Sequence, residues 1–166
     1  MNKQKYIHKN WGNNNSTRGY SEFNSKQKLK ETAVKFDNKN KIKIKKIKIG
    51  VTKLEITKPM TIIFDIYDSK DGFPNQSLSP RVLALTISNE EIKDGNLSLD
   101  ISKDNIWIND DFFVSMRLGN DFDGSLSLGG NIYACSKDTY YRQFYGSWNK
   151  FSAGVPAINI EIIIAK

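Results

Sequence analysis

The sequence predicts an all-β protein, an antiparallel two-sheet β-sandwich of jelly-roll type. Three observations predict it. Residues 41–67 alternate apolar and polar positions with a period of two. Short runs of the same kind recur along the chain, separated by turn-forming clusters of Gly, Asn, Asp and Pro. The chain closes on Ile158, Ile160, Ile162 and Ile164, all in one phase, and no long helical stripe competes. A length of 166 residues suits one domain with a real core, and no internal repeat suggests a propeller or solenoid.

Residues 1–18 are rich in Asn, Lys, Ser and Gly, with Trp11 as the one large anchor. They read as a loosely ordered N-terminal arm, with a single β-sandwich domain over 19–166. Within that domain, 19–23 reads as a short strand. Residues 27–36 read as a strand too, although Leu29, Ala33 and Phe36 would also fit a helix. Asp37-Asn38-Lys39-Asn40 is a turn. In 41–49, Ile42, Ile44, Ile47 and Ile49 alternate with lysines, and the pair Lys45-Lys46 breaks the phase. A β-bulge there would keep all four isoleucines on the core face. The lysines read as a solvated face, or as the guard of an edge strand. Residues 60–67 put Ile62, Phe64 and Ile66 on one face and Ile63, Asp65 and Tyr67 on the other, as a more central strand would.

Residues 68–77 are dense in turn formers, with Asp71-Gly72 and Pro74-Asn75 as breakers. Strands follow at 81–87, 97–101 and 112–118. Residues 119–130 read as a Gly- and Asp-rich loop containing a brief alternation at Leu126 and Leu128. Residues 131–135 and 139–145 read as strands, 146–151 as a turn, and 156–165 as the closing strand, expected to pair with an early one.

The formal charge of +7 (pI about 9.4) is concentrated in the first third. The basic residues there are nearly all lysine, without the arginine and aromatic clustering of a nucleic-acid surface, so no nucleic-acid partner is expected. The single cysteine, Cys135, cannot form an internal disulfide and reads as a small buried hydrophobe. No stretch is long and apolar enough to span a membrane. The first residues lack the apolar centre of a signal peptide. The chain is therefore expected either to stay inside the cell or to have a leader and any upstream region outside this sequence.

Chemistry has few footholds. His8 is the only histidine and lies in the arm, so neither a catalytic triad nor a zinc site is expected. No phosphate-binding loop is present. Asp65, Asp68 and Asp71, and likewise Asp121 and Asp123, could supply oxygens to calcium, but neither set matches a complete calcium loop. They are expected to serve turns, with no metal and no cofactor. The better lead is aromatic: Tyr140, Tyr141, Phe144, Tyr145 and Trp148 lie together with Arg142 among them. Strand alternation puts Tyr140 and Phe144 inward, with Arg142 on that face or at its edge, and Tyr141 and Tyr145 outward. Tyr141, Tyr145, Trp148 and Arg142 are the candidate ligand-binding residues, a platform for stacking a sugar or a protein partner. Packing into the core is the competing reading for Phe144 and Trp148.

The run Ile62-Ile63-Phe64-Asp65-Ile66-Tyr67 is followed by Asp71-Gly72-Phe73-Pro74, then Leu99-Asp100-Ile101-Ser102 with Ile106, Asp111-Phe112-Phe113-Val114-Ser115-Met116, and Gly146-Ser147-Trp148-Asn149-Lys150. This series resembles a β-sandwich domain of Bacteroidota secreted or surface proteins, of the kind found after carboxypeptidase-regulatory-like domains. The resemblance covers the chain from about Lys41 to its end. It implies a non-catalytic module and a periplasmic or cell-surface location, and offers no catalytic residues to carry over. The upstream domain and a leader are the features of the pattern that this sequence lacks. The expectation is therefore a non-enzymatic binding or accessory module that recognises a glycan or a cell-envelope component. The alternative is a protein–protein module in the assembly of a surface or secreted protein.

Overall fold

A computed structural model describes residues 5–12, 19–27, 29–131, 139–152 and 154–166. Its strands are β1 (Tyr6–Gly12), β2 (Gly19–Asn24), β3 (Lys30–Phe36), β4 (Ile42–Glu55), β5 (Met60–Lys70), β6 (Phe73–Ser77), β7 (Leu83–Ile87) and β8 (Asn96–Asp100). They continue as β9 (Trp107–Ile108), β10 (Phe112–Leu118), β11 (Ser125–Asn131), β12 (Thr139–Gln143), β13 (Asn149–Phe151), β14 (Val155–Pro156) and β15 (Ile158–Ala165). Three single-turn 3-10 segments are the helical elements among the described residues, and none is long enough to cross a membrane.

The strands form the predicted antiparallel sandwich. One sheet has eight strands in the order β1-β15-β4-β11-β14, with β2 beside β11 and β8 and β9 beside β4. The other has seven, in the order β13-β12-β3-β10-β5-β6, with β7 beside β5. Period-two alternation explains how they pack. Ile42, Ile44, Ile47, Ile49, Ile158, Ile160 and Ile162 project from the first sheet and Val34, Ile62, Phe64, Ile66, Val114 and Met116 from the second, into one continuous apolar core.

The Lys45-Lys46 phase break is a bulge. Glu161 of β15 faces Lys46 and the next residue, Ile162, faces Ile44, so Lys45 is the extra residue in β4. All four isoleucines are consequently buried. β4 is not an edge, however. It has β15 on one side and β8 and β9 on the other, with β11 beside its C-terminal end, so the lysines are a solvated face and the edge-guard reading falls.

Several regions differ from expectation: Pro74-Asn75, read as a breaker, lies within β6, residues 149–151, read as part of a turn, form β13, and three further stretches change more. Tyr6–Gly12, predicted within the loose arm, is β1, and it pairs with β15 from Tyr6 opposite Ala165 to Gly12 opposite Asn159. Ile7 and Trp11 pack against the core edge, which is the apolar gain that a loose arm would lack. Gly12 is needed there: its φ is 122°, and a Cβ would lie 2.7 Å from the Ile158 carbonyl oxygen. The apparent loop around Leu126 and Leu128 contains β11, which pairs with both β4 and β2 and buries both leucines. The strand expected over 139–145 stops at Gln143. The strand predicted over 131–135, with Cys135, falls outside the described residues apart from Asn131, the last residue of β11. By contrast, Asp71-Gly72 turns β5 into β6 as expected, with φ of 54° and 78°, the left-handed pair that a two-residue hairpin requires.

Candidate functional site

The aromatic stretch sits on β12, on β13 and in the turn between them. β12 pairs with β3, setting Tyr140 opposite Ala33, Tyr141 opposite Thr32 and Arg142 opposite Glu31. Thr32 alternates with Val34, which belongs to the main core, so Tyr141 rises on the face that looks toward the other sheet. Tyr140 and Arg142 rise on the outer face. Tyr140 is buried and Tyr141 exposed, as alternation predicts, yet the two faces are exchanged relative to expectation. Tyr141 is open because it stands near the end of the seven-stranded sheet, where the sandwich gapes. Tyr140 is buried because the outer face carries a second, smaller core of Ala33, Tyr67, Phe113 and Tyr140, with Trp148 packed on it.

The gape is a groove of about 350 Å³ lined by Ser21, Glu22, Lys30, Thr32, Thr139, Tyr141 and Phe151. β13 sets Phe151 opposite Thr139, so Phe151 and Tyr141 share the groove face. Their rings meet edge to face, 6.2 Å between centroids and at 84°. Tyr141 is 43% exposed and Phe151 42%. Lys30 closes one side. Its ammonium donates to the Ser21 hydroxyl and to the Glu22 carbonyl, both at 3.1 Å, and lies 4.5 Å from the centre of the Phe23 ring. Burial holds the Lys30 ammonium below its ordinary pKa, with the Glu22 charge opposing the shift.

On the outer face a buried polar network replaces the expected platform. Glu31 is fully buried. Its Oε2 accepts from the Tyr67 hydroxyl at 2.8 Å and the Ser115 hydroxyl at 2.7 Å. Its Oε1 accepts from Arg142 Nε at 2.6 Å, and Arg142 Nη2 donates to the Tyr67 oxygen at 3.1 Å. Burial, followed by the charge of Glu31, pushes the Tyr67 phenol far above its usual range. The Arg142 guanidinium lies 4.3 Å from the Trp148 ring centre, and Trp148 meets Tyr67 edge-on at 5.8 Å. A charge pair that is this enclosed and this fully hydrogen-bonded is a structural clamp that holds the 144–148 turn on the sheet.

The four candidate residues are therefore not one surface. Tyr141 lines the groove. Arg142 and Trp148 belong to the clamp, so packing is the better account of Trp148. Tyr145 lies past the end of the strand, in a turn with φ of 69°, and is 86% exposed; its ring lies 3.8 Å from that of half-buried Phe144. Sequence reasoning missed Phe151, Lys30 and Thr32 in the groove and Glu31, Tyr67 and Ser115 in the clamp. The sequence carried no clear signal for Glu31, because its strand also holds Lys30, Thr32 and Lys35 and so reads as partly solvated.

Asp65 and Asp68 serve local geometry. Asp65 accepts from the hydroxyls of Ser77 at 2.6 Å and Ser79 at 2.9 Å, and Asp68 accepts from the Gln76 amide at 2.6 Å. Among the described residues no three His, Cys, Asp or Glu side chains converge as a metal site would require. No protein-family model matches this chain, and no curated protein is similar to it.

Proposed function

We propose that the protein is a non-catalytic binding module that takes a glycan, such as a cell-envelope polysaccharide, in the groove between β2, β3, β12 and β13. The observation that carries this reading is the open corner made by Tyr141 and Phe151. One ring can stack on the apolar face of a sugar while the other walls its edge. Ser21 and Lys30 stand within the same groove to meet hydroxyl groups, while buried Thr32 and Thr139 form its floor. Among the described lining residues Glu22 is the one carboxylate, whereas most glycoside hydrolysis uses two, which supports binding over cleavage. The resemblance to Bacteroidota surface domains adds an extracytoplasmic setting to this proposal.

Glycan-array binding followed by titration of the hits tests it. Tyr141→Ala and Phe151→Ala should each cost more than about 1 kcal/mol of binding, with little change in melting, while Tyr145→Ala should bind as the parent does. An array without hits, or binding that survives both groove changes, would overturn the assignment and favour the protein–protein alternative.

A further inference from the structure

The outer face of the eight-stranded sheet carries a second aromatic cluster that neither the groove nor the clamp uses. Register sets Lys43 between Ile163 of β15 and Trp107 of β9. The Ala165 amide donates to the Lys41 carbonyl, which brings Tyr6, Ala165 and Lys41 into the neighbouring row. Tyr6 and Trp107 come from strands on either side of β15 and β4, yet their rings lean together over these two strands to 6.5 Å. Both are exposed, at 45% and 38%. The Lys41 ammonium lies 5.5 Å from the centre of the Trp107 ring, and Lys43 donates to the Asn105 side chain at 2.5 Å.

Charge is uneven along this face. At its far end Glu161 takes both Lys46, at 3.8 Å, and Lys48, at 2.5 Å. At the aromatic end, among the described residues, no carboxylate lies within ion-pair distance of Lys41, Lys43 or Lys45. A shallow cleft of about 300 Å³ over β1, β15 and β4 adjoins them, lined by His8, Lys9, Asn10, Lys45 and Ile162 and, at its acidic edge, by Glu161, whose charge is already taken by Lys46 and Lys48. These lysines do not guard an edge, since β4 is central. The excess positive charge thus surrounds a pair of stacking rings, and charge complementarity selects an anionic ligand that also presents a ring.

We propose that this face binds an acidic polysaccharide. A uronate ring would lie against Trp107 and Tyr6 while its carboxylate reaches Lys41 or Lys43, and the next acidic residues would follow the cleft toward Lys45 and Lys9. Among the described residues the cations here, Lys9, Lys41, Lys43 and Lys45, are all lysine. The described arginines, Arg81, Arg117 and Arg142, are engaged elsewhere, with Asp104, the Phe144 ring and Glu31 respectively. A surface for phosphate backbones would favour arginine, whose planar fork grips phosphate in two places.

The test titrates the full chain with polygalacturonate, and in parallel with dextran, an oligo-dT strand and vesicles of anionic phospholipid. Polygalacturonate should bind, weaken as salt rises and leave dextran unbound. Trp107→Ala should weaken it about tenfold, the size of a central aromatic anchor. The double charge reversal Lys41→Glu with Lys43→Glu should weaken it at least as much. It also keeps the test decisive should Trp107→Ala fail to fold. Tyr141→Ala should leave this binding unchanged, so failure here and failure at the groove are told apart. Affinity that survives the charge reversal, or tighter binding of oligo-dT or vesicles than of polygalacturonate, would overturn the proposal.

Discussion

The two sheets turn outward faces of the same alternating origin to opposite uses. On the eight-stranded sheet the outward residues of β4 stay in water, and its ion pairs, Lys46 and Lys48 with Glu161, are about one-third exposed. On the seven-stranded sheet the outward residues of β3, β5, β10 and β12 are covered by Trp148 and its turn. The Glu31–Arg142 pair is nearly sealed there, at 1% and 14% exposure. The difference teaches that strand period alone assigns a residue to a face but not to water or protein. A covering segment distant in sequence makes that second decision, and it changes what a charge is worth. An exposed pair is screened and flexible, whereas an enclosed pair cannot lose one partner without stranding the other.

The largest effect should come from turning one face inside out. Deleting Lys45 and Lys46 together removes the bulge and one residue of the regular ladder, so either Ile42 and Ile44 rotate to the lysine face or the pairing with β15 slips, whereas deleting Lys45 alone leaves the four isoleucines in unbroken alternation opposite their present partners. Each of these buried isoleucines contributes about 1.5–3 kcal/mol. Chemical denaturation should show the loss of at least one such contribution in the double deletion, and a single Lys45 deletion that loses as much would refute the bulge.

Next in size is the contrast between the pairs. Arg142→Ala should destabilise by about 3–5 kcal/mol, because Glu31 is left charged and buried. Glu161→Gln on the other sheet should cost under about 1 kcal/mol. Equal losses by denaturant titration would show that the clamp is no more enclosed than the lysine face.

The smallest effect sharpens the same contrast through pH. The Tyr67 phenol has a raised pKa in the folded protein, so its stabilising contribution is present below the unfolded value, about 10, and fades as pH climbs above it. Unfolding profiles in alkaline buffer should fall less steeply for Tyr67→Phe than for the parent. Identical slopes would mean that the phenol is not held protonated by its burial and by Glu31.

The period-two pattern of Ile42, Ile44, Ile47 and Ile49, interrupted once, was enough to foresee a strand, its bulge and its buried face, because a strand's side-chain direction is set locally. The turn at Asp71-Gly72 was legible for the same reason, as its left-handed backbone suits few residues. Leu126 and Leu128 alternate, yet the Gly- and Asp-rich residues around them read as a loop: the apolar alternation is only two residues deep, and the place of the strand between β4 and β2 depends on residues far away in sequence. In the aromatic stretch, alternation separated Tyr140 from Tyr141 correctly but could not say which side of the sheet held the larger core. Only the pairing of β12 with β3 placed Arg142 opposite Glu31, drew Trp148 over them and left Tyr141 beside Phe151 at the open end of the sandwich. Local sterics and periodicity therefore determined the strands and the fold class. Strand order and the covering of each face, which depend on contacts between distant segments, decided where a ligand could reach the protein.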